Sequence, residues 1–215
     1  EIRGEALVRN LPGFVRFLPI AGRFHGQVIN LSGVARDAGV ARTTVNGYLD
    51  LLDDTLMTFR LAGFEARLRV RERKHPKLYW VDPGIVRAVK KQLGPVTAEE
   101  RGPLFEGWIL HQLRAEAEVS ELFEDIYYWA PSNGGSVEVD FLLRRGREYL
   151  ALEVKSAGRF QPNMASGLRA IGDLPRLVRR LIVYAGQRKL SLEGGIEVWP
   201  HATFAAALTS GRLWP

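Results

Sequence analysis

The sequence predicts an α/β (α+β) chain of two modules: a small helical module closed by a basic hairpin, then a mixed-sheet sandwich. Three observations predict it. Apolar residues recur every three or four positions between residues 34 and 52, then give way to alternating or continuous runs from Phe59 onward. A Gly- and Pro-bearing stretch, Gln92 to Pro103, separates two such blocks. Charge changes sign across that stretch. Residues 60–91 hold ten Lys or Arg against three acids, a local +7, whereas residues 98–160 hold seven against twelve, a local −5.

Composition narrows the classes further. With 215 residues, 46% apolar and 25% charged, the chain can bury a core and is not a disordered segment. It has no cysteine, which excludes disulfides, thiolate metal sites and cysteine nucleophiles. No apolar run approaches the roughly 18–20 residues that span a bilayer, so no membrane association and a cytoplasmic location are expected. Residues 1–10 do not read as a signal peptide and begin without methionine, so the chain is expected to be part of something longer.

In the first module, residues 11–95, Ser32 reads as a helix N-cap, with Val34, Ala35 and Ala38 at helical spacing and Gly39 as the stop. A second helix is predicted from Arg42 to Leu56, its apolar stripe Val45, Tyr48, Leu49 and Leu52. Small Ala35, turn-forming Gly39 and plugging Val45 have the spacing of a helix-turn-helix. Phe59 to Leu61, Arg67 to Arg71 and Leu78 to Val81 read as strands, with Asp82-Pro83-Gly84 as a turn. Helices followed by a basic hairpin make a winged helix-turn-helix. DNA is its expected partner. Arg42, Thr43, Thr44 and Asn46 would face the major groove, and Arg67, Arg69, Arg71, Arg73 and Lys74 would contact phosphate from the wing. The same fold also serves protein contact.

The second module, residues 96–215, reads in order as a helix from Leu104 to Glu118 and strands at Tyr127–Trp129, Val137–Leu143 and Glu148–Val154. Helices around Met164–Ile171 and Pro175–Arg180, strands at Leu181–Ala185 and Ile196–Trp199, and a closing helix at His201–Leu208 complete it. A helix, three strands, a helix and a further strand make a mixed α/β sandwich.

The chemistry gathers on one hairpin. Alternation puts Glu153 and Lys155 on one face, and a turn pairing residue 144 with 147 sets Asp140 opposite Ala151, diagonal to Glu153. Glu138, Asp140, Glu153 and Lys155 then share a face. Two carboxylates at that separation suit one hard cation, Mg2+ or Mn2+. The four histidines, His25, His75, His111 and His201, show no metal-ligand spacing.

Asp140, Glu153-Val154-Lys155 and the helical Glu106 resemble the core of the PD-(D/E)xK nuclease superfamily. The resemblance implies a restriction-endonuclease-like sandwich. In it Asp140 and Glu153 bind the metal, Lys155 acts on the phosphate or water, and Glu106 holds an outer-shell water or second ion. The proline of the motif is absent, as Val139 precedes Asp140. A wider resemblance rests on five segments in order: Asn30 to Leu52, Pro76 to Gly84, Leu104-Phe-Glu-Gly107, Val137 to Leu143 and Leu152-Glu-Val-Lys155. Together they resemble the carboxy-terminal half of a bacterial and archaeal group of AAA-type P-loop ATPases. That half is a winged helix and a nuclease-like domain of unknown function. No Gly-x4-Gly-Lys-Ser/Thr loop is present. ATP would therefore belong to an amino-terminal ATPase domain of the same protein, with residues 1–10 the remnant of the linker to it. The function implied is DNA binding by the winged helix coupled to Mg-dependent phosphodiester hydrolysis. The alternatives are a non-catalytic module for DNA or protein interaction, and regulation of transcription by the winged helix alone.

Overall fold

The computed structural model describes residues 8–65, 72–73, 75–132 and 137–215. Arg67, Arg69, Arg71 and Lys74, and the strand predicted at 67–71, lie outside the described residues. The chain divides into two compact units. One comprises residues 1–61 and 75–107, the other residues 62–74 and 108–215. The segment 62–74, expected to complete the basic hairpin of the first module, thus groups with the second unit.

The first unit carries helices α1 (Leu11–Gly22), α2 (Leu31–Ala38), α3 (Arg42–Asp54) and α4 (Pro83–Val89). Its three short strands are β1 (Gln27–Val28), β2 (Thr58–Leu61) and β3 (Lys77–Trp80), in the order β1-β3-β2 with antiparallel pairing. The cap of α2 is Asn30, not Ser32: the Asn30 side chain accepts the Gly33 N–H at 3.1 Å, placing Ser32 within the first turn. Gly39 ends α2 in the left-handed region, φ 64°, and the Val40 N–H returns to the Ala35 carbonyl at 3.0 Å. Val34, Ala35, Ala38, Val45, Leu49 and Leu52 form the buried seam. Phe14 and Phe17 of α1 close it against Tyr48, with centroids 5.1 and 5.3 Å from that ring. Two details depart from the sequence reading. α3 ends at Asp54 because Leu56 takes φ 58°. Asp82-Pro83-Gly84 is no turn but the start of α4, capped by the Asp82 carboxylate.

Gly39→Val should destabilise by about 1–3 kcal/mol, the usual cost of forcing a β-branched residue into positive φ. The space there is open, its nearest neighbour being Arg16 Nη2 at 3.8 Å from a built Cβ, so the cost is one of backbone conformation. A thermal melt checks it, and an unchanged midpoint refutes it.

Helix α5 (Ala98–Ser120) carries the chain from one unit into the other. It starts six residues before the predicted Leu104, with Pro103 inside it. Thr97 and Glu100 explain the early start: the Glu100 N–H donates to Thr97 Oγ1 and the Thr97 N–H to Glu100 Oε2, a capping box.

The second unit is built on a six-stranded mixed sheet. Its strands are β4 (Asp125–Trp129), β5 (Val139–Arg145), β6 (Glu148–Lys155), β7 (Leu177–Tyr184), β8 (Leu190–Leu192) and β9 (Ile196–Pro200), in the order β4-β5-β6-β7-β9-β8. β4, β5 and β6 form an antiparallel meander, and β6, β7 and β9 run parallel. A 3-10 turn at Pro162–Ala165 leads into α6 (Ser166–Ala170), and α7 (His201–Thr209) follows β9 directly. The helix predicted at Pro175–Arg180 is absent. Arg176 at φ 62° starts a strand from Leu177, which pairs along β6 from Tyr149 to Lys155. That ladder overrides the local helical preference of Leu-Val-Arg-Arg-Leu.

Candidate functional site

The β5–β6 hairpin turns on two residues, Gly146 and Arg147, with Gly146 at φ 58°. Arg145 therefore pairs with Glu148, and the register runs through Leu142–Ala151 to Phe141–Leu152. One step further, Asp140 stands opposite Glu153 rather than diagonal to it. The sequence expectation was off by one pair on each strand, which preserves parity. Asp140 and Glu153 therefore share a face, and that face was read correctly. The Asp140 carboxylate accepts the buried Val154 N–H at 2.7 Å. Asp140 is thus part of the fold as well as of the site. Removing its side chain would strip a buried donor of its acceptor, so Asp140→Ala should cost stability as well as any chemistry at this face.

The face is otherwise apolar. Glu153 lies in a row with Ile182 of β7 and Val198 of β9, and Leu142, Ala151 and Leu168 fill the space around it. Asp140 and Glu153 are 3% and 5% exposed, which is far outside the habit of carboxylates. Lys155 Nζ holds Glu153 Oε1 at 2.5 Å, while Glu153 Oε2 is buried with no hydrogen-bond partner among the described residues. Burial first, then the charge of Asp140, pushes the Glu153 carboxyl well above the usual range; Lys155 pulls the other way, and half-buried Glu138 adds to the rise. α6 closes over this face. A Cβ built on Gly167 would stand 1.7 Å from the Glu138 carbonyl oxygen and 3.4 Å from Glu153 Oε2.

The donor set fits one hard divalent ion. Two carboxylates face each other, one oxygen is buried and unsatisfied, and Mg2+ commonly takes one or two carboxylates and keeps several waters. No group of three or more His, Asp or Glu positioned to hold a metal occurs among the described residues.

Glu106 belongs to the first unit. Its Oε1 accepts from the Tyr79 hydroxyl and lies 3.6 Å from Nζ of the buried Lys77. Asp140, Glu153 and Lys155 are brought together in the second unit. Arg42, Thr43 and Asn46 are exposed on the first turns of α3, Thr44 is half-buried, and Arg73 is half-buried with its N–H on the Ala130 carbonyl. Lys77 and Tyr79 carried no role in the sequence reading although they stand in the Pro76-Lys-Leu-Tyr-Trp segment. Gly167, and Trp108 packed on His201 at 4.3 Å between ring centroids, were also missed, because nothing local marks them.

Fold and site define a mixed α/β protein with a buried acid–acid–lysine face. Residues 101–204 match the domain of unknown function DUF4143, and residues 1–95 match the domain of unknown function DUF8612. The uncharacterized proteins Rv2008c of Mycobacterium tuberculosis and Mb2031c of Mycobacterium bovis are each 30% identical to this chain over 181 residues. The match covers 82% of this chain and 39% of either relative, so the chain spans about two fifths of the length of these curated relatives. The crystal structure of protein VC1899 from Vibrio cholerae aligns over 94% of this chain and 55% of that one. Its identity is 12% and its TM-score 0.35, a likeness on which nothing below rests. No helix among the described residues is long and apolar enough to cross a membrane.

Proposed function

We propose that the second unit holds one Mg2+ or Mn2+ ion between Asp140 and Glu153 and hydrolyses DNA phosphodiester bonds. The observation that carries this reading is the buried, unsatisfied Glu153 Oε2 facing Asp140 with Lys155 beside it. Leaving a buried carboxylate oxygen without a partner is costly, and an ion is the economical occupant of such a place. The order helix, three antiparallel strands, helix, parallel strand supports a PD-(D/E)xK nuclease-like fold. The paired helices α2 and α3 beside a small sheet support a winged helix that brings exposed Arg42, Thr43 and Asn46 to DNA. Both would serve as carboxy-terminal modules of an AAA-type ATPase.

The bound ion would supply charge neutralisation at the phosphate and acidify a water. Lys155, paired with Glu153 Oε1, opposes the rise in the Glu153 pKa and, 32% exposed, would present its ammonium protons to an arriving phosphate oxygen. The apolar neighbours Ile182, Val198 and Leu168 exclude bulk water and strengthen both interactions.

Calorimetry with Mn2+ tests the reading. The full chain should bind one ion at millimolar affinity or tighter. Asp140→Asn, which keeps an acceptor for the Val154 N–H, and Glu153→Gln should both abolish binding. Lys155→Ala should retain it but lose cleavage of a DNA substrate, because an ammonium is no ligand. If the unaltered protein binds no ion at millimolar Mn2+, the hydrolase reading fails and the non-catalytic interaction module replaces it.

A further inference from the structure

Gly47 stands in the middle of α3, in ordinary helical backbone, and is exposed. A Cβ built there meets nothing within 4 Å. Glycine is the poorest residue for a helix interior after proline, because it loses the most backbone entropy and covers no surface. Neither a positive φ nor a close neighbour in this chain requires it, so alanine would serve the fold better. What glycine offers at such a place is bare backbone that a partner can approach closely.

Thr43, Gly47 and Asp50 follow one another at i, i+4 and i+7, on the line opposite the buried Val45, Tyr48, Leu49 and Leu52. The two halves of that line differ. Toward the end of the helix Asp50 and Asp53 are both ion-paired with Arg60, at 2.8 Å for Asp50. In the first turns the side chains of Arg42, Thr43 and Asn46 are exposed and make no hydrogen bond or ion pair among the described residues. Asp54, in the last turn, lies about 18 Å further along the axis than Arg42.

These features fit one kind of partner. The major groove of duplex DNA is about 12 Å wide, and a helix with its side chains is about 10–12 Å across. How deep a helix enters is therefore set by the residues at the centre of its entering face. Here they are threonine, asparagine and glycine, all short, with the Arg42 guanidinium beside them for guanine or phosphate. A protein groove that accepts a helix meets an apolar face, and the exposed residues of α3 are Arg42, Thr43, Asn46, Gly47, Asp50 and Asp54.

We propose that Gly47 is the point of closest approach between α3 and the base edges of duplex DNA, and a specificity-determining residue: a larger side chain there holds the helix out of the groove. The choice of partner rests on the winged-helix reading.

Selection from a randomised duplex library with the full chain in EDTA supplies a preferred duplex, and anisotropy then compares it with a scrambled one. The unaltered protein should prefer the selected duplex. Gly47→Leu should lose roughly tenfold or more of that preference. It should still bind the scrambled duplex within about threefold of the unaltered protein and with the same salt dependence, because phosphate contacts survive. Gly47→Ala should melt roughly 2–4 °C higher than the unaltered protein yet give up part of the preference, a pairing that a merely structural role would not produce. EDTA removes divalent ions, so the result is independent of the metal reading. Absence of duplex binding at low salt would overturn the winged-helix reading and this inference with it. Binding without a preferred sequence, or an unchanged preference in Gly47→Leu, would overturn this inference alone.

Discussion

Glu153→Gln should melt at a higher temperature than the unaltered protein at pH 7.5 and at the same temperature at pH 4. The folded protein holds this carboxyl in an apolar face opposite Asp140, so its pKa lies well above the usual carboxylate range. In the unfolded chain it titrates near 4.3. Between those two values the folded state binds more protons than the unfolded state, so stability falls as pH rises. Below the unfolded pKa both states are protonated and the penalty is absent. Above the folded pKa it is complete. Glutamine keeps the shape and never ionises. The gap amounts to about 1.4 kcal/mol for each tenfold change in proton affinity, and each kcal/mol moves the midpoint of a chain this size by roughly 2–4 °C. Scanning calorimetry from pH 4 to pH 8 reads it, and a gap independent of pH would show that burial imposes no charge penalty. Millimolar Mn2+ should close the gap from below, since it stabilises only the protein with the carboxylate.

Gly167→Ala should cost the second unit several kcal/mol, although alanine is the better helix former by about 1 kcal/mol. The added methyl would meet the Glu138 carbonyl oxygen at 1.7 Å and its carbon at 2.6 Å. Both partners are backbone, so no rotamer relieves the clash, and either α6 lifts or β5 bends. Overpacking typically costs about 1–3 kcal/mol when side chains can adjust, and here they cannot. The strand that would bend carries Asp140, so Mn2+ affinity should fall with stability. Circular dichroism melts and ion titration of this variant check both; an unchanged midpoint would mean that α6 slides freely along the sheet.

The elements legible in the sequence were those fixed by local chemistry. Ala35, Gly39 and Val45 announce two helices and the turn between them. The β5–β6 hairpin announced its shared face even though its loop was misjudged. The turn expected at residues 145–146 and the one formed at 146–147 differ by one residue on each strand, and alternation is blind to that shift. The elements that escaped are fixed from a distance. Leu177 to Tyr184 is a strand because β6 lies beside it. Glu106 is paired with Tyr79 and Lys77, nearly thirty residues away in sequence. One miss was avoidable: Thr97-Ala-Glu-Glu100 is a capping-box pattern, and it marks the start of α5 more reliably than Pro103 marks a break.

The strand β4 lies at the margin of the six-stranded sheet, and residues 62–64 and 72–73 pair along it. The Phe64 N–H bonds the Tyr128 carbonyl at 2.7 Å and the Tyr128 N–H the Ala62 carbonyl at 3.0 Å. The Arg73 N–H bonds the Ala130 carbonyl at 2.9 Å, and the Trp129 indole N–H reaches the Glu72 carboxylate at 2.7 Å. This cover is encoded more than thirty residues before the sheet that needs it. A recombinant fragment begun at residue 96, where the charge pattern invites a cut, would leave Tyr128, Trp129 and Ala130 as a naked template for strands of other copies. Aggregation of that fragment would then report a missing shield rather than an unstable core, and a soluble version must carry residues 62–74 with it.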